Sequence, residues 1–344
     1  MTRNAQSPCA TGGDAPQRVL HSTRWASDGT RYATHMAATA GDGVEPLFFS
    51  WRRALVGRYD LFHLHWPEGL TGSAAGPKDA ITYTLTRLLL LRLRLLQTPV
   101  VRTLHNHAPH DRPASRRLLA VQEGFEQLTR VEIHLVPEPA RHTTAEVVSI
   151  PHGSYVEPFA AHPHEAATAG RVLFFGLIRP YKGIEELLGA FAGVRTPDAT
   201  LYFVGESRDH RLAGAIERAA ACDGRITWRS GFVPDRELVA AVTSAQLVVL
   251  PYRDLHSSGA VLVALSLGRP VLVPDTPTTR ALRDEAGPDW VHLFSGWVTA
   301  EVIDAAVEST RNRPAACPDL HGRDWDSVRM AHRDAYRRAS RSGR

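Results

Sequence analysis

Residues 174–188 read FFGLIRPYKGIEELL. Two phenylalanines close an apolar run that starts at Val172, and Gly176 stops it. A short apolar run ended by glycine is a buried strand whose backbone turns sharply at its end. Ile184, Leu187 and Leu188 then recur at helical spacing. The stretch is therefore strand, tight loop and helix. Its loop also holds Lys182, one of two lysines among 40 basic residues. A chain that writes arginine nearly everywhere keeps a slim ammonium here, where a planar fork does not fit.

Outward from this unit the alternation continues. Strands are expected at 200–204, 226–229, 247–250 and 271–273, with helices at 184–194, 211–221, 235–244 and 258–267. Upstream, 19–21, 61–65, 100–104 and 133–136 read as strands, and 51–56, 80–96 and 114–128 as helices. Regular β-α alternation argues for parallel sheets covered on both faces. At 344 residues the chain exceeds one ordinary core. The expected class is α/β, with two doubly wound, Rossmann-like parallel-sheet domains facing across a cleft. Boundaries are set at 1–16 for a disordered leader, 17–152 for the first domain and 153–170 for a linker. The second domain follows at 171–324, then a surface helix and tail at 325–344.

A net charge of +4 gives no electrostatic case for nucleic acid. Cys9, Cys222 and Cys317 are odd in number and scattered, which suits a reducing cytoplasm rather than a disulfide framework. The first residues lack the apolar core of a secretory signal. Residues 80–96, AITYTLTRLLLLRLRLL, are interrupted by Arg87, Arg92 and Arg94. They are either a buried helix with snorkelling arginines or a basic apolar face on an anionic membrane.

In a doubly wound sheet, loops at the carboxyl ends of strands build the ligand site. Arg179 and Lys182 put two cations at the mouth of a helix beginning near Gly183, a setting for a diphosphate. His256, Ser257, Ser258 and Gly259 stand where a later strand hands over to a helix, offering a cap and close backbone approach. In the first half, His63 and His65 share one strand face, and His105, His107, His110 and Asp111 crowd the next strand's end. His-x-His is also a metal-ligand spacing, so a metal-dependent hydrolase is an alternative. Trp66 reads either as a core tryptophan or as an aromatic platform for a ligand in the cleft.

These segments resemble a known family. FFGLIRPYKGIEELLGAF, LYFVGES, GFVPDREL and LVVLPYRDLHSSGAVLVALSLGRPVLVPD resemble the nucleotide-sugar domain of GT-B glycosyltransferases. FHLHWPE and TLHNHAPHD resemble segments of bacterial exopolysaccharide glycosyltransferases. The resemblance implies a hexosyltransferase that moves sugar from a nucleotide-diphosphate donor to a saccharide or polyprenyl-linked acceptor. GDP-mannose is the first donor to test and UDP-sugars the second. It makes 17–152 the acceptor domain and 171–324 the donor domain. Donor contacts fall on Gly176, Arg179, Lys182, on Gly231, Phe232 and Val233 at the base, and on His256, Ser257, Ser258 and Gly259. Asp111, His110 and Glu68 are the candidate bases, and His63, His65, Trp66 and His105 the acceptor contacts. No cofactor or metal is called for. Many retaining members carry two glutamates eight positions apart, ending just before the AxxxG that closes the helix at 258–267; aligning on Gly268 puts Leu255 and Val263 at those places. That departure leaves the stereochemical outcome open and admits inverting enzymes such as bacterial β-mannosyltransferases. It leaves a cytoplasmic enzyme, peripheral on the inner membrane face, or a non-catalytic sugar-nucleotide binder.

Overall fold

The computed structural model describes residues 15–23, 43–70, 77–105, 115–136, 143–253, 259–311 and 317–341. They build two six-stranded sheets in which every pair of neighbouring strands is parallel.

The first sheet contains β1 (Gln17–His21), β2 (Val44–Leu47), β3 (Leu61–Leu64), β4 (Val100–Leu104), β5 (Thr129–His134) and β6 (Glu146–Ser149), in the order β2-β1-β3-β4-β5-β6. Helices α1 (Trp51–Val56), α2 (Pro77–Leu95) and α3 (Arg116–Glu126) connect them. The central strands β3 and β4 are buried along their whole length, as strands covered on both faces must be. β2 and β6 escaped the sequence reading for a physical reason. Both are edge strands: β2 holds Pro46, which an edge tolerates, and β6 is mostly exposed and carries no apolar run. The strand expected at 133–136 begins earlier, at Thr129.

A short helix, α4 (Val156–Phe159), lies in the expected linker. The second sheet then holds β7 (Arg171–Phe175), β8 (Thr200–Gly205), β9 (Ile226–Ser230), β10 (Leu247–Val249), β11 (Val271–Pro274) and β12 (Val291–Phe294). Its order is β12-β11-β10-β7-β8-β9. Numbered within the sheet this is 3-2-1-4-5-6 read from the far edge, the Rossmann order. Helices α5 (Ile184–Ala192), α6 (His210–Cys222), α7 (Asp235–Ser244), α8 (Gly259–Ser266), α9 (Pro277–Ala286) and α10 (Ala300–Thr310) complete it. One contiguous apolar core runs through this half, from Tyr155 to Val307.

The final helix, α11 (Trp325–Arg341), corrects an expectation. It is a helix, but not a surface one. Trp325, Val328, His332, Ala335, Tyr336 and Ala339 form a buried stripe. Most of that stripe shares a core with Val19, Leu61, Val101, Val131 and Ile133 of the first sheet. The chain therefore ends by crossing back onto its first sheet. Arginines on the outer face disguise the stripe; Arg338, for example, pairs with Glu146 across the sheet edge.

Candidate active site

In the second sheet the strand order reverses between β7 and β10. Ligands of open α/β sheets sit at such a switch point. The loops leaving β7 and β10 are bound together there. The Arg253 amide donates to the Tyr181 carbonyl at 2.9 Å. Gly183, with φ +67°, packs so close that a Cβ would stand 2.2 Å from the Pro251 carbonyl oxygen. Only glycine fits that approach.

Lys182 lies across this junction. It is only 9% exposed, and its ammonium sits 4.7 Å from the centroid of the Tyr252 ring. It also stands 3.5 Å from where a Cβ on Gly176 would be. The lysine is therefore held, not solvated. Arg179 caps the short 3-10 turn Pro180–Lys182 and is half-buried. The first turn of α5 carries Glu185 and Glu186, with Glu186 ion-paired to Arg253. These acids occupy the positive end of α5. The anion-attracting groups of this loop are its two cations rather than the helix mouth expected at Gly183.

The second helix terminus is acid-free. The first turn of α8, beginning at Gly259, holds no acidic residue. A Cβ on Gly259 would be 3.4 Å from the Tyr155 hydroxyl and 3.7 Å from His152 Nε2. His152 Nδ1 donates to the Gly153 carbonyl at 2.8 Å, which leaves Nε2 as the lone-pair nitrogen. Sequence reasoning missed His152 and Tyr155, because β6, the strand that delivers them, lacks an apolar run. His256, Ser257, Ser258 and Leu255 lie outside the described residues. Val263 is buried in α8, packed in the core rather than aimed at a ligand.

The loop after β9 was expected at the base. Gly231 has φ +95°, Phe232 is 75% exposed and Val233 is half-buried. Arg229 braces the loop by donating to the Phe232 carbonyl at 3.3 Å and pairing with Glu237 at 3.0 Å.

The first sheet reverses between β1 and β3, at a cluster of histidines. His63 is fully buried. Its Nδ1 lies 2.8 Å from the Tyr336 hydroxyl and its Nε2 2.8 Å from Thr103 Oγ1. It faces α11, not the cleft, and this corrects its expected role as an acceptor contact. His65 is 2% exposed, with Nε2 3.2 Å from His21 Nδ1 and Nδ1 3.2 Å from His105 Nε2. It too lies in the interior and touches the cleft only through His105. His105 is half-buried and stacks on Trp66, ring centroids 4.0 Å apart. Glu68 sits in the adjoining 3-10 turn Pro67–Leu70. Burial pushes His21 and His105 down to about 3 and holds His63 and His65 well below the usual histidine range. A charge on His152 would add to the depression at His105. His107, His110 and Asp111 lie outside the described residues.

The helix at 80–96, read either as buried core or as a membrane face, has one buried side and one exposed side. Leu89 and Leu93 are buried, while Ile81, Leu88, Leu91, Leu95 and Leu96 are exposed. Arg92 turns inward, donating to the Gly57 carbonyl at 2.6 Å and lying over Tyr59. Arg87 and Arg94 remain on the outer face. No described helix is long and apolar enough to cross a membrane.

Comparison with known proteins fits this arrangement. Residues 169–307 match the family described as Glycosyl transferases group 1. Over 340 residues, 98% of this chain and 97% of the other, the sequence is 38% identical to a GDP-mannose:glycolipid 4-beta-D-mannosyltransferase of Xanthomonas campestris pv. campestris. Among solved structures, sucrose-phosphate synthase from Thermosynechococcus elongatus superposes with a TM-score of 0.64 at 16% identity, covering 95% of this chain and 100% of that one. Anabaena HepE in complex with UDP-glucose gives a TM-score of 0.59 at 12% identity, covering 94% and 95%. Two parallel doubly wound sheets, the family match over the second of them and a near-full-length relative agree: the chain has the GT-B fold and is a hexosyltransferase of the group 1 glycosyltransferase family.

Proposed function

We propose that this enzyme transfers mannose from GDP-mannose to a lipid-linked saccharide, with inversion to a β-linkage, in cell-surface polysaccharide synthesis. The observation that carries the reading is Lys182, buried between the loops of β7 and β10 where Arg179 and the acid-free end of α8 can share a diphosphate. The 38% identity to a GDP-mannose-dependent relative supports the donor and the acceptor class.

In this reading residues 171–324 hold the donor. Arg179 and Lys182 neutralise charge that builds on the leaving diphosphate, and the amides at Gly259 add donors from α8. His152 and Tyr155 stand beside that terminus and join the donor end. Phe232 offers a flat apolar face beside the base. Residues 17–152 take the acceptor, with the Trp66–His105 stack as the sugar platform. A single-displacement inversion needs one base to take the acceptor proton as the donor bond breaks. Glu68 is the candidate within the described residues; His110 and Asp111 are the others. The exposed leucines and Arg87 and Arg94 of α2 make a face that rests on anionic lipid and brings the enzyme to its acceptor.

The deciding experiment offers labelled GDP-mannose and UDP-glucose to the enzyme with a polyprenyl-diphosphate oligosaccharide. Incorporation from GDP-mannose into a product cleaved by β-mannosidase supports the reading. Turnover of UDP-glucose alone, or an α-linked product, ends it.

A further inference from the structure

We infer that His21, His63, His65 and His332 form a closed binding site for a divalent transition-metal ion of the zinc type, which fastens α11 to the first sheet. The site is separate from donor and acceptor binding and does not depend on the proposed reaction.

The geometry starts with three rings. One nitrogen each from His21, His63 and His65 lies within 4.8 Å of the others. A tetrahedral ion with bonds of about 2.0–2.1 Å to imidazole sets its ligand nitrogens roughly 3.3 Å apart and its ring centroids roughly 5 Å apart. His21 Nδ1 and His65 Nε2 stand at 3.2 Å. The ring centroids are 5.1 Å apart for His21 and His63, 5.5 Å for His21 and His65, and 4.1 Å for His63 and His65. Small side-chain rotations bring the set to that geometry.

Two further observations point to a ligand. The first is the buried His21 ring, whose Nδ1 faces the His65 imidazole and whose Nε2 has no hydrogen-bond partner among the described residues, so that turning the ring over presents either nitrogen to an ion. A buried polar atom in that state is costly unless something meets it. The second is His332, 2% exposed on α11 and 6.0 Å from His63 between centroids. Its Nδ1 donates to the Val328 carbonyl at 2.8 Å, so its Nε2 carries the lone pair. Fixing a ligand histidine by a backbone carbonyl on its far nitrogen is the usual outer-shell arrangement. The other rings have outer partners too. His63 has a hydroxyl at each nitrogen, Tyr336 at Nδ1 and Thr103 at Nε2; one turns aside when the ring binds an ion and the other accepts the remaining N–H, while His65 has His105.

Chemistry narrows the ion. The donor set is imidazole only, which suits zinc and its first-row neighbours and not magnesium or calcium. Burial keeps the rings in the neutral form that binds metal, with His332 lowered to about 4. The cluster lies between β1, β3 and α11 with no exposed ligand, the character of a structural site rather than a catalytic one.

The test uses the full chain purified without a polyhistidine tag. Elemental analysis should find about one zinc per chain. His332→Ala and His21→Ala should lose it, and the exposed His164→Ala should keep it. Should the variants fail to fold, wild-type protein is stripped with a chelator and titrated with Co2+ and Zn2+. Tetrahedral d–d absorption bands and a rise in melting temperature of roughly 5 °C or more would support the site. Less than about a tenth of an equivalent as purified, together with no metal-dependent shift in melting temperature, would overturn it. So would zinc retained undiminished in folded His332→Ala and His21→Ala.

Discussion

Replacing Lys182 by methionine keeps a side chain of similar length and removes its charge. In the free protein the ammonium is almost wholly buried, over the Tyr252 ring at 4.7 Å. A desolvated cation–π contact returns about 2 kcal/mol. Holding the ammonium out of water costs several kcal/mol. The variant should stay folded, since methionine fills the same space. Nucleotide binding should weaken. One charge-assisted contact to phosphate is worth roughly 1.5–3 kcal/mol. At about 1.4 kcal/mol per factor of ten, GDP should bind roughly 10- to 150-fold more weakly. Calorimetric titration of GDP beside thermal unfolding of the same samples reads affinity and folding together. GDP affinity within about threefold of wild type in a folded variant would refute the argument, since it allows less than about 0.7 kcal/mol for the contact.

Lys182→Arg separates charge from shape. The guanidinium must enter a space where Gly176 leaves only 3.5 Å to a virtual Cβ. Overpacking of that kind costs roughly 1–3 kcal/mol. Donor affinity should largely survive, because the long-range attraction remains, while kcat falls. Equal kcat in wild type and variant would mean that the shape of the cation is immaterial.

Three other outcomes follow from the packing. Gly183→Ala should abolish soluble expression or lower stability by several kcal/mol, because its Cβ meets the Pro251 carbonyl at 2.2 Å in a left-handed backbone; Gly189→Ala, with open space around it in the same helix, should stabilise by about 0.5–1 kcal/mol. Trp325→Phe deletes the 2.7 Å bond from the indole to the Ser154 carbonyl and should cost roughly 1–3 kcal/mol in chemical denaturation. Changing Leu88 and Leu91 to Ser with Arg87 and Arg94 to Gln should weaken flotation with anionic liposomes at least tenfold at low salt, with turnover on a soluble acceptor retained; unchanged flotation would remove α2 as the membrane face.

The fold was legible where burial is two-sided. β3, β4, β7 and β10 are mainly apolar and almost wholly buried, and each was found within one or two residues. The edge strands β2, β6 and β12 were not, since β6 buries little and β2 tolerates a proline, although the edge strand β9 was. The loop after β7 was legible as a strand-to-helix turn, and a lysine in an arginine-rich chain marked it as the loop proposed to hold the donor. Its neighbours were not. Tyr252 was visible in PYRD, yet nothing local says that it lies under Lys182. The histidine pairs were visible as His-x-His, but strand alternation does not tell which face α11 covers. His63 was assigned to the cleft because a helix some 270 residues later in the chain, which covers it, looked like an exposed one.

That late helix ties the two ends of the site together. Trp325 opens α11, and its ring lies so close to Gly153 that a Cβ there would stand 2.7 Å from it. Arg323, just ahead, donates to the His152 carbonyl at 3.1 Å, accepts from the Ser154 amide at 2.7 Å through its own carbonyl, and pairs with Glu285 of α9. Residues 152–154 are thus clamped from the C-terminal segment, and His152 and Tyr155 are aimed at the first residue of α8. Further along, Tyr336 of the same helix meets His63, which stacks on His65, which meets His105 beneath Trp66. One helix therefore packs behind both the 152–155 segment and the histidines of the first sheet. In the function proposed above, the first of these backs the donor wall of the cleft and the second the acceptor wall. The crossing would then fix the spacing between the proposed sugar platform on one sheet and the proposed phosphate site on the other, and a transfer between two bound substrates depends on that distance.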